Sequence, residues 1–312
     1  MTRASGSAPL AYFPQFSCLR ERQWKRGKHS GKCCPRVAPL TLVDDYARQY
    51  RWRSWALVLD ALSNIDGQVV LDLGCGIGDL AVELSARGAS VIGVDGNEDF
   101  VQFASSRGIR NAEFRVADLR SFREPGLRVD GIWSSFTTAY FPALPETLRA
   151  WGEHLRPGGW IALTEIDDLF GHHPLSDRTR ELLNGYVGDS LLNARYDFLM
   201  GRKMADYLRQ ANFTVSTAFT VPDGELSFVG AAPPEVIAAW RTRFDRMGLL
   251  REFCGTDFQS VKDDFLNCLG RDDHWCAATV QCCIACMNNT GAKRADEQSV
   301  GHGAADSAVA NG

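Results

Sequence analysis

The stretch Val69-Val70-Leu71-Asp72-Leu73-Gly74-Cys75-Gly76-Ile77-Gly78-Asp79 decides how the rest of the chain is read. Five mostly apolar residues run into glycines at three alternating positions, and an amphipathic run with Leu80, Val82 and Leu84 follows at once. The pattern predicts a buried strand, a tight turn and the first turn of a helix. Glycine lets the backbone approach a ligand, because no Cβ intervenes. The helix start adds free N–H groups for polar ligand atoms. Further on, Ser90-Val91-Ile92-Gly93-Val94-Asp95 reads as a second strand ending in an acid, placed to bind both hydroxyls of a ribose. A nucleoside-containing cofactor is therefore expected.

Spacing narrows that expectation. The dinucleotide pattern G-x-G-x-x-G would put its third glycine at position 79, which is Asp79, whereas the glycines stand at 74, 76 and 78 behind Asp72. Carboxylates at both ends of the loop disfavour a pyrophosphate and favour a cationic sulfonium amino acid.

Composition sets outer limits. The 312 residues, 45% of them hydrophobic, suffice for one large core with an appended cap. No window has the run of apolar residues that a membrane span needs, and the start lacks a secretory apolar core, so no membrane partner is expected. Net charge is −4, split between +7 over residues 1–36 and −11 over the rest. An acidic body disfavours nucleic acid as a partner. The basic arm, 1–40, is read as a disordered tail, as is 288–312, rich in Gly, Ala, Ser and Asp. Ten cysteines show no disulfide framework, and a large reduced protein of this kind is expected in the cytoplasm. Cys283-x-x-Cys286 near His274 lacks the second ligand pair of a zinc site, so no metal is expected and the segment is read as an apolar helix or loose chain.

Along the chain, Asp44-Asp45 could cap one helix carrying Tyr46, Tyr50, Trp52, Trp55 and Leu57, with Trp55 and Leu57 in the core and Tyr50, less so Tyr46, a lid. Asn97 to Ser106 reads as a helix with Phe100, Val101 and Phe103 inward, and Ala112–Val116 as a third strand followed by Asp118 and Leu119. Val129–Trp133 is a fourth strand, and the loop from Ser134 to Phe141 should border the reacting atoms, since ligands bind at the carboxyl ends of such strands. Tyr140 and Phe141 are candidate pocket walls. A helix over Leu148–Leu155 stops at Arg156-Pro157-Gly158-Gly159, before a fifth strand, Trp160–Glu165. The loop beyond holds Asp167, Asp168 and the vicinal His172 and His173. Either histidine could take a proton from the acceptor, with Glu165 or Asp167 orienting it or binding a cationic substrate. Helices broken near 194–197 cover the pocket over 176–211, Phe213–Val221 and Glu225–Val229 form a hairpin around Pro222-Asp223-Gly224, and 233–287 is a helical extension.

The glycine motif, the acids at 95 and 118, the L-R-P-G-G-W-I-A-L-T-E block at 155–165 and the closing hairpin together resemble the class I S-adenosylmethionine-dependent methyltransferases. The resemblance covers about residues 65 to 167. It implies an α/β, Rossmann-like, seven-stranded, mainly parallel sheet with a terminal antiparallel hairpin strand and a small helical cap, the binding domain running over 41–232. It implies S-adenosyl-L-methionine as cofactor and a small-molecule methyl acceptor. Asp72 then serves the cationic amino end, Gly74, Gly76 and Gly78 admit the cofactor backbone, Asp95 takes the ribose and Asp118 the adenine amino group. Asn97, Leu119, Ser135 and Tyr50 complete the cofactor set. His172, His173 and Tyr140 are the catalytic candidates, and Phe141, Glu165 and Asp167 the substrate pocket. A silent cofactor-binding module and an NAD-dependent oxidoreductase are the rival readings.

Overall fold

The computed structural model describes residues 42–62 and 64–288. The expected arm over 1–40, and all of the expected tail except Asn288, lie outside the described residues.

Seven strands form one sheet: β1 (Val69–Leu73), β2 (Ser90–Asp95), β3 (Ala112–Val116), β4 (Val129–Ser135), β5 (Leu155–Asp167), β6 (Phe213–Val221) and β7 (Thr279–Met287). The order across it is β3-β2-β1-β4-β5-β7-β6. Strands β1 to β5 run parallel, with Val70 opposite Val91 on one side and Gly131 on the other. Helices on both faces leave the central strands no solvent side, so β1 is an apolar run rather than an alternation. Gly131 is bare because the Trp160 ring of β5 occupies the space where its Cβ would stand.

Among the described residues, ten α-helices surround the sheet: α1 (Leu42–Gln49), α2 (Trp55–Ala61), α3 (Asp79–Ala86), α4 (Glu98–Ser106), α5 (Leu144–Gly152), α6 (Asp177–Leu192), α7 (Met204–Gln210), α8 (Pro234–Arg246), α9 (Gly248–Cys254) and α10 (Phe258–Leu269). The aromatic stripe at 46–57 is two helices rather than one, and Leu57 faces outward, as does Phe103. Helix α5 starts earlier than its sequence pattern suggested because Pro145 sits in its first turn, where a missing N–H costs nothing. Leu155 already belongs to β5.

The largest departure concerns the end of the sheet. Residues 225–229 do not return as a strand beside β6. The Asp223 carboxylate accepts the backbone N–H groups of Glu225 (2.9 Å) and Leu226 (2.8 Å), which turns the chain away. The antiparallel partner of β6 is instead β7, from the cysteine-bearing segment, which also pairs with β5 through Trp160↔Cys286 to Asp167↔Thr279. That segment is neither helix nor loose chain. Flanked by two strands and covered on both faces, it carries a continuous apolar run whose period could not reveal a strand. Accordingly 233–287 is not a helical extension throughout: α8, α9 and α10 form an insertion between β6 and β7.

Loss of β7 should therefore unfold the sheet rather than trim an appendage. A chain ending at Ala277 is expected to lose cooperative thermal unfolding, whereas a chain ending at Asn288 keeps it; calorimetry of the two decides.

Candidate functional site

The site lies at the carboxyl ends of β1, β2, β3 and β4, where the loops leave a cavity of about 570 Å³. Gly74, Gly76 and Gly78 all have positive φ (+86°, +52° and +78°), a region that only glycine enters cheaply. Their surroundings differ. A Cβ on Gly74 would sit 2.0 Å from Thr137 Oγ1, whereas one on Gly76 would meet only the Tyr46 ring, 3.7 Å away. Gly76 thus presents bare backbone to the cavity. Gly78 does not line it; a Cβ there would stand 3.1 Å from both Ala104 and Phe114, so its service is to the seam between the loop, α4 and β3.

Asp95 ties the loops together. One carboxylate oxygen accepts the N–H of Gly76 at 2.9 Å and the other that of Asn97 at 2.8 Å. Burial raises its pKa, and backbone N–H groups act against the rise. Both oxygens keep lone pairs for ligand hydroxyls. Asn97 also caps α4 by accepting from Phe100 N–H at 3.2 Å. Asp118, exposed past β3, accepts from Arg120 N–H at 3.0 Å, and Leu119 beside it lines the cavity. Asp72 is deeper and 2% exposed, with Oδ2 bearing no partner. Burial, then the charge of Asp95, pushes its pKa up to about 8.

The rest of the cavity wall is aromatic and cationic. Tyr46 from α1 packs on Phe100 (4.8 Å between ring centroids), and burial followed by Asp95 pushes its pKa up to about 12. Tyr50 lines the cavity and hydrogen-bonds Glu83. Tyr140 and Phe141 both line it, Tyr140 meeting Tyr196 edge-on at 4.8 Å and Phe141 backed by Trp151 at 5.3 Å. Ser135 lines it while accepting the Trp133 indole N–H at 2.6 Å. The arginines Arg53, Arg243 and Arg246 line it as well, as do Arg48 of α1 and Arg120 past β3. Neither these arginines nor Tyr196 was evident in the sequence. Arg53 meets Glu225 across 172 positions, so no local spacing marks the pair. For Tyr196 one signal existed, the helix break that drops its loop over the strand ends.

Besides Gly78, four expected site residues fall outside the cavity lining. His172 is fully buried between Phe228, Trp240 and Phe265, and its Nδ1 shares a 2.9 Å hydrogen bond with His274 Nε2. Burial, then His274, lowers its pKa to about 3. His173 stacks on Trp275 at 4.1 Å. A turn with Asp168 at φ +61° folds both away from the cavity, and neither lines it. Asp167 does not line it either; Arg202 holds it at 2.7 Å. Glu165 is fully buried just behind the wall, 3.5 Å from the Tyr196 hydroxyl. Among the described residues, no group of three or more His, Cys, Asp or Glu is placed to hold a metal.

Comparison with known proteins agrees with this geometry. Residues 46–218, more than half of the chain, match the family described as a methyltransferase domain. A trans-aconitate 2-methyltransferase of Mycolicibacterium gilvum is 35% identical over 39% of this chain and 46% of its own. A 23S rRNA uracil C5-methyltransferase of Hahella chejuensis is 34% identical over 28% of this chain and 20% of its own. The chain thus spans less than half the length of either relative. A solved structure from Bacillus halodurans, described as a candidate methyltransferase, superposes over 75% of this chain and 97% of its own with a TM-score of 0.51 at 15% identity, a likeness of fold.

His172 should govern acid stability rather than turnover. Because folding keeps it neutral, the unfolded chain binds the extra proton once pH drops below its ordinary value near 6.5. Stability should fall by up to about 1.4 kcal/mol per pH unit from about pH 6.5 toward pH 4, and not above that range. Urea titrations of the protein and of His172→Gln at several pH values would show it as a steeper slope in the former, the remaining slope coming from the other histidines that burial lowers, His154, His173 and His274.

Proposed function

Since the chain belongs to the class I S-adenosylmethionine-dependent methyltransferases, we propose that it transfers a methyl group from S-adenosylmethionine to a small-molecule acceptor held in the same cavity. One observation carries the reading. The glycine loop and its acids open into the same cavity as the tyrosines and arginines, so that donor and acceptor would meet side by side. Its volume falls within the usual range for small-ligand sites, about 300–1,000 Å³. A macromolecular acceptor is disfavoured because α1 lies over the loop, with Tyr46 across Gly76.

The residues present fit that cofactor. Gly76 offers the cradle a Cβ would fill, Asp95 two bridged oxygens for a ribose, and Asp118 with Leu119 the polar edge for adenine. Asn97, Ser135 and Tyr50 border the same space. The orphaned Oδ2 of Asp72 suits a cationic amino end. When bound, the group supplies a methyl already activated by its sulfonium. What remains to the protein is alignment, exclusion of water and neutralisation of charge. Tyr140 and Phe141 would wall the acceptor. His172 and His173 have no part in proton transfer on this reading, because a buried ring and a stacked one cannot reach the cavity. The described cysteines are all unpaired, which supports a reducing, cytoplasmic setting, and no described helix is long and apolar enough to cross a membrane.

Calorimetry with S-adenosylmethionine tests the assignment. Asp95→Ala should weaken binding by about 1–3 kcal/mol through lost ribose hydrogen bonds; an unchanged constant would remove Asp95 from the site. Asp72 adds a pH signature. It is largely protonated at pH 7 in the free protein and should ionise beside the ligand ammonium, so binding releases a proton. Affinity should then climb between about pH 6 and 7.5, approaching tenfold per unit, and Asp72→Asn should abolish the slope. A tritium-labelled methyl assay separates catalysis from a silent module, which would bind the donor and transfer nothing.

A further inference from the structure

The inner end of the cavity pairs cationic side chains with a carboxyl that no cation accompanies. Arg53 and Arg243 line it, while the carboxylates they hold do not: Asp223 and Glu225 lie behind, Arg53 reaching them at 2.6 and 2.8 Å and Arg243 also bonding Glu225. Guanidinium faces the ligand and carboxylate faces the core. The buried Nε of Arg243 has no hydrogen-bond partner. Next to these stand the hydroxyls of Tyr140 and Tyr196, both within the reach of the Arg243 charge.

Behind Tyr196 lies Glu165, fully buried, with Oε1 3.5 Å from the tyrosine hydroxyl and Oε2 without any partner. A carboxylate with no counter-cation in such a place is held in its protonated form, and burial indeed raises its pKa well above the ordinary range. Tyr196 lines the cavity and its hydroxyl meets Glu165 Oε1 behind it; with Glu165 protonated, that bond can run from the acid to the tyrosine oxygen and leave the tyrosine O–H for a ligand, the arrangement by which a buried acid and a tyrosine stabilise oxygen carrying negative charge. Among the described residues, no base stands at this end. The tyrosines are held protonated, the histidines are elsewhere, and Asp45, the carboxylate contributed by α1, is bridged by Arg48 and Arg246. A phenol or alcohol would arrive neutral and find nothing to take its proton. An amine would build positive charge against guanidiniums.

We propose that the acceptor is an apolar carboxylic acid that arrives ionised and is methylated on a carboxylate oxygen, with Tyr196, positioned by Glu165, donating a hydrogen bond to the other oxygen and Arg243 balancing the charge. The inference rests on the methyltransferase reading above. One carboxylate oxygen forms the bond to the methyl carbon, and the pair of electrons of the broken carbon–sulfur bond stays on sulfur. Positive donor and negative acceptor become a neutral thioether and a neutral methyl ester, and no proton is released. That balance explains why the site needs donors and no base.

The experiment uses the full chain in two stages. S-adenosylhomocysteine is titrated first; no binding would sink the methyltransferase reading itself. Its complex is then titrated with matched pairs, arylpropanoic and medium-chain fatty acids against their primary amides and amines. Acids should bind roughly tenfold or more tighter than their amides, as expected for a charge-assisted hydrogen bond. Tyr196→Phe and, separately, Arg243→Lys should each narrow that preference severalfold, with S-adenosylhomocysteine binding as the check on folding. Label transferred from S-adenosylmethionine should be alkali-labile, released as methanol. Equal binding of acids and amides by the wild-type complex, a preference for amines, or alkali-stable label on nitrogen would overturn the carboxylate assignment while leaving donor binding intact.

Discussion

The site depends on the two hydrogen bonds that Asp95 accepts from Gly76 and Asn97. They join the loop after β1 to the turn after β2, two strands whose backbones are already in parallel register from Val69↔Ser90 to Leu73↔Val94. A charged acceptor in a mostly buried position makes each bond stronger than a neutral one, about 1.5–3 kcal/mol. The same carboxylate also acts at a distance. Its charge helps keep Asp72 protonated and Tyr46 un-ionised, so the loop's geometry and the proton inventory around it have one origin.

A second constraint closes the site from the opposite side. Arg53, just after the turn that follows α1, enters the buried cluster with Asp223, Glu225 and Arg243, and Arg246 of α8 reaches Asp45 of α1. Glu225 is fully buried, yet its pKa is lowered, because the two arginines outweigh the burial that would raise it. Such a network adds little net stability compared with an apolar core of equal volume, but removing one member strands the others. Its value is positional: it fixes the covering helix to the inserted helices, and the cavity lies between them.

Much of this was legible in the sequence where local pattern and chemistry coincide. The strand–glycine–helix unit at 69–84 and the acid ending β2 follow from spacing, and the structure places Asp72, Gly74, Gly76, Asp95 and Asp118 around one space. What was illegible has physical causes. A strand covered on both faces carries no alternation, so β7 could not be told from a buried helix. The false strand signal at 225–229 arose because Asp223 captures backbone donors that a hairpin would have used. The histidines misled for a different reason: a polar pair next to carboxylates reads as chemistry, whereas His172 satisfies its ring by bonding His274, 102 positions away. Arg53, Arg243 and Tyr196 converge only in three dimensions, and it is they that give the inner end of the cavity its character.

The late arrival of β7 reaches beyond the folded state. Strand β5 is thirteen residues long, and over eight of its positions its partner on one side is β7. While the chain is being synthesised, that edge has nothing to pair with until residue 287 has left the ribosome, after every inserted helix has emerged. An apolar, unpaired edge is where growing chains associate wrongly. The nascent protein therefore carries an open sheet edge from the completion of β5 at Asp167 until β7 has emerged, and its yield in cells should depend on chaperones that cover β5 during that interval.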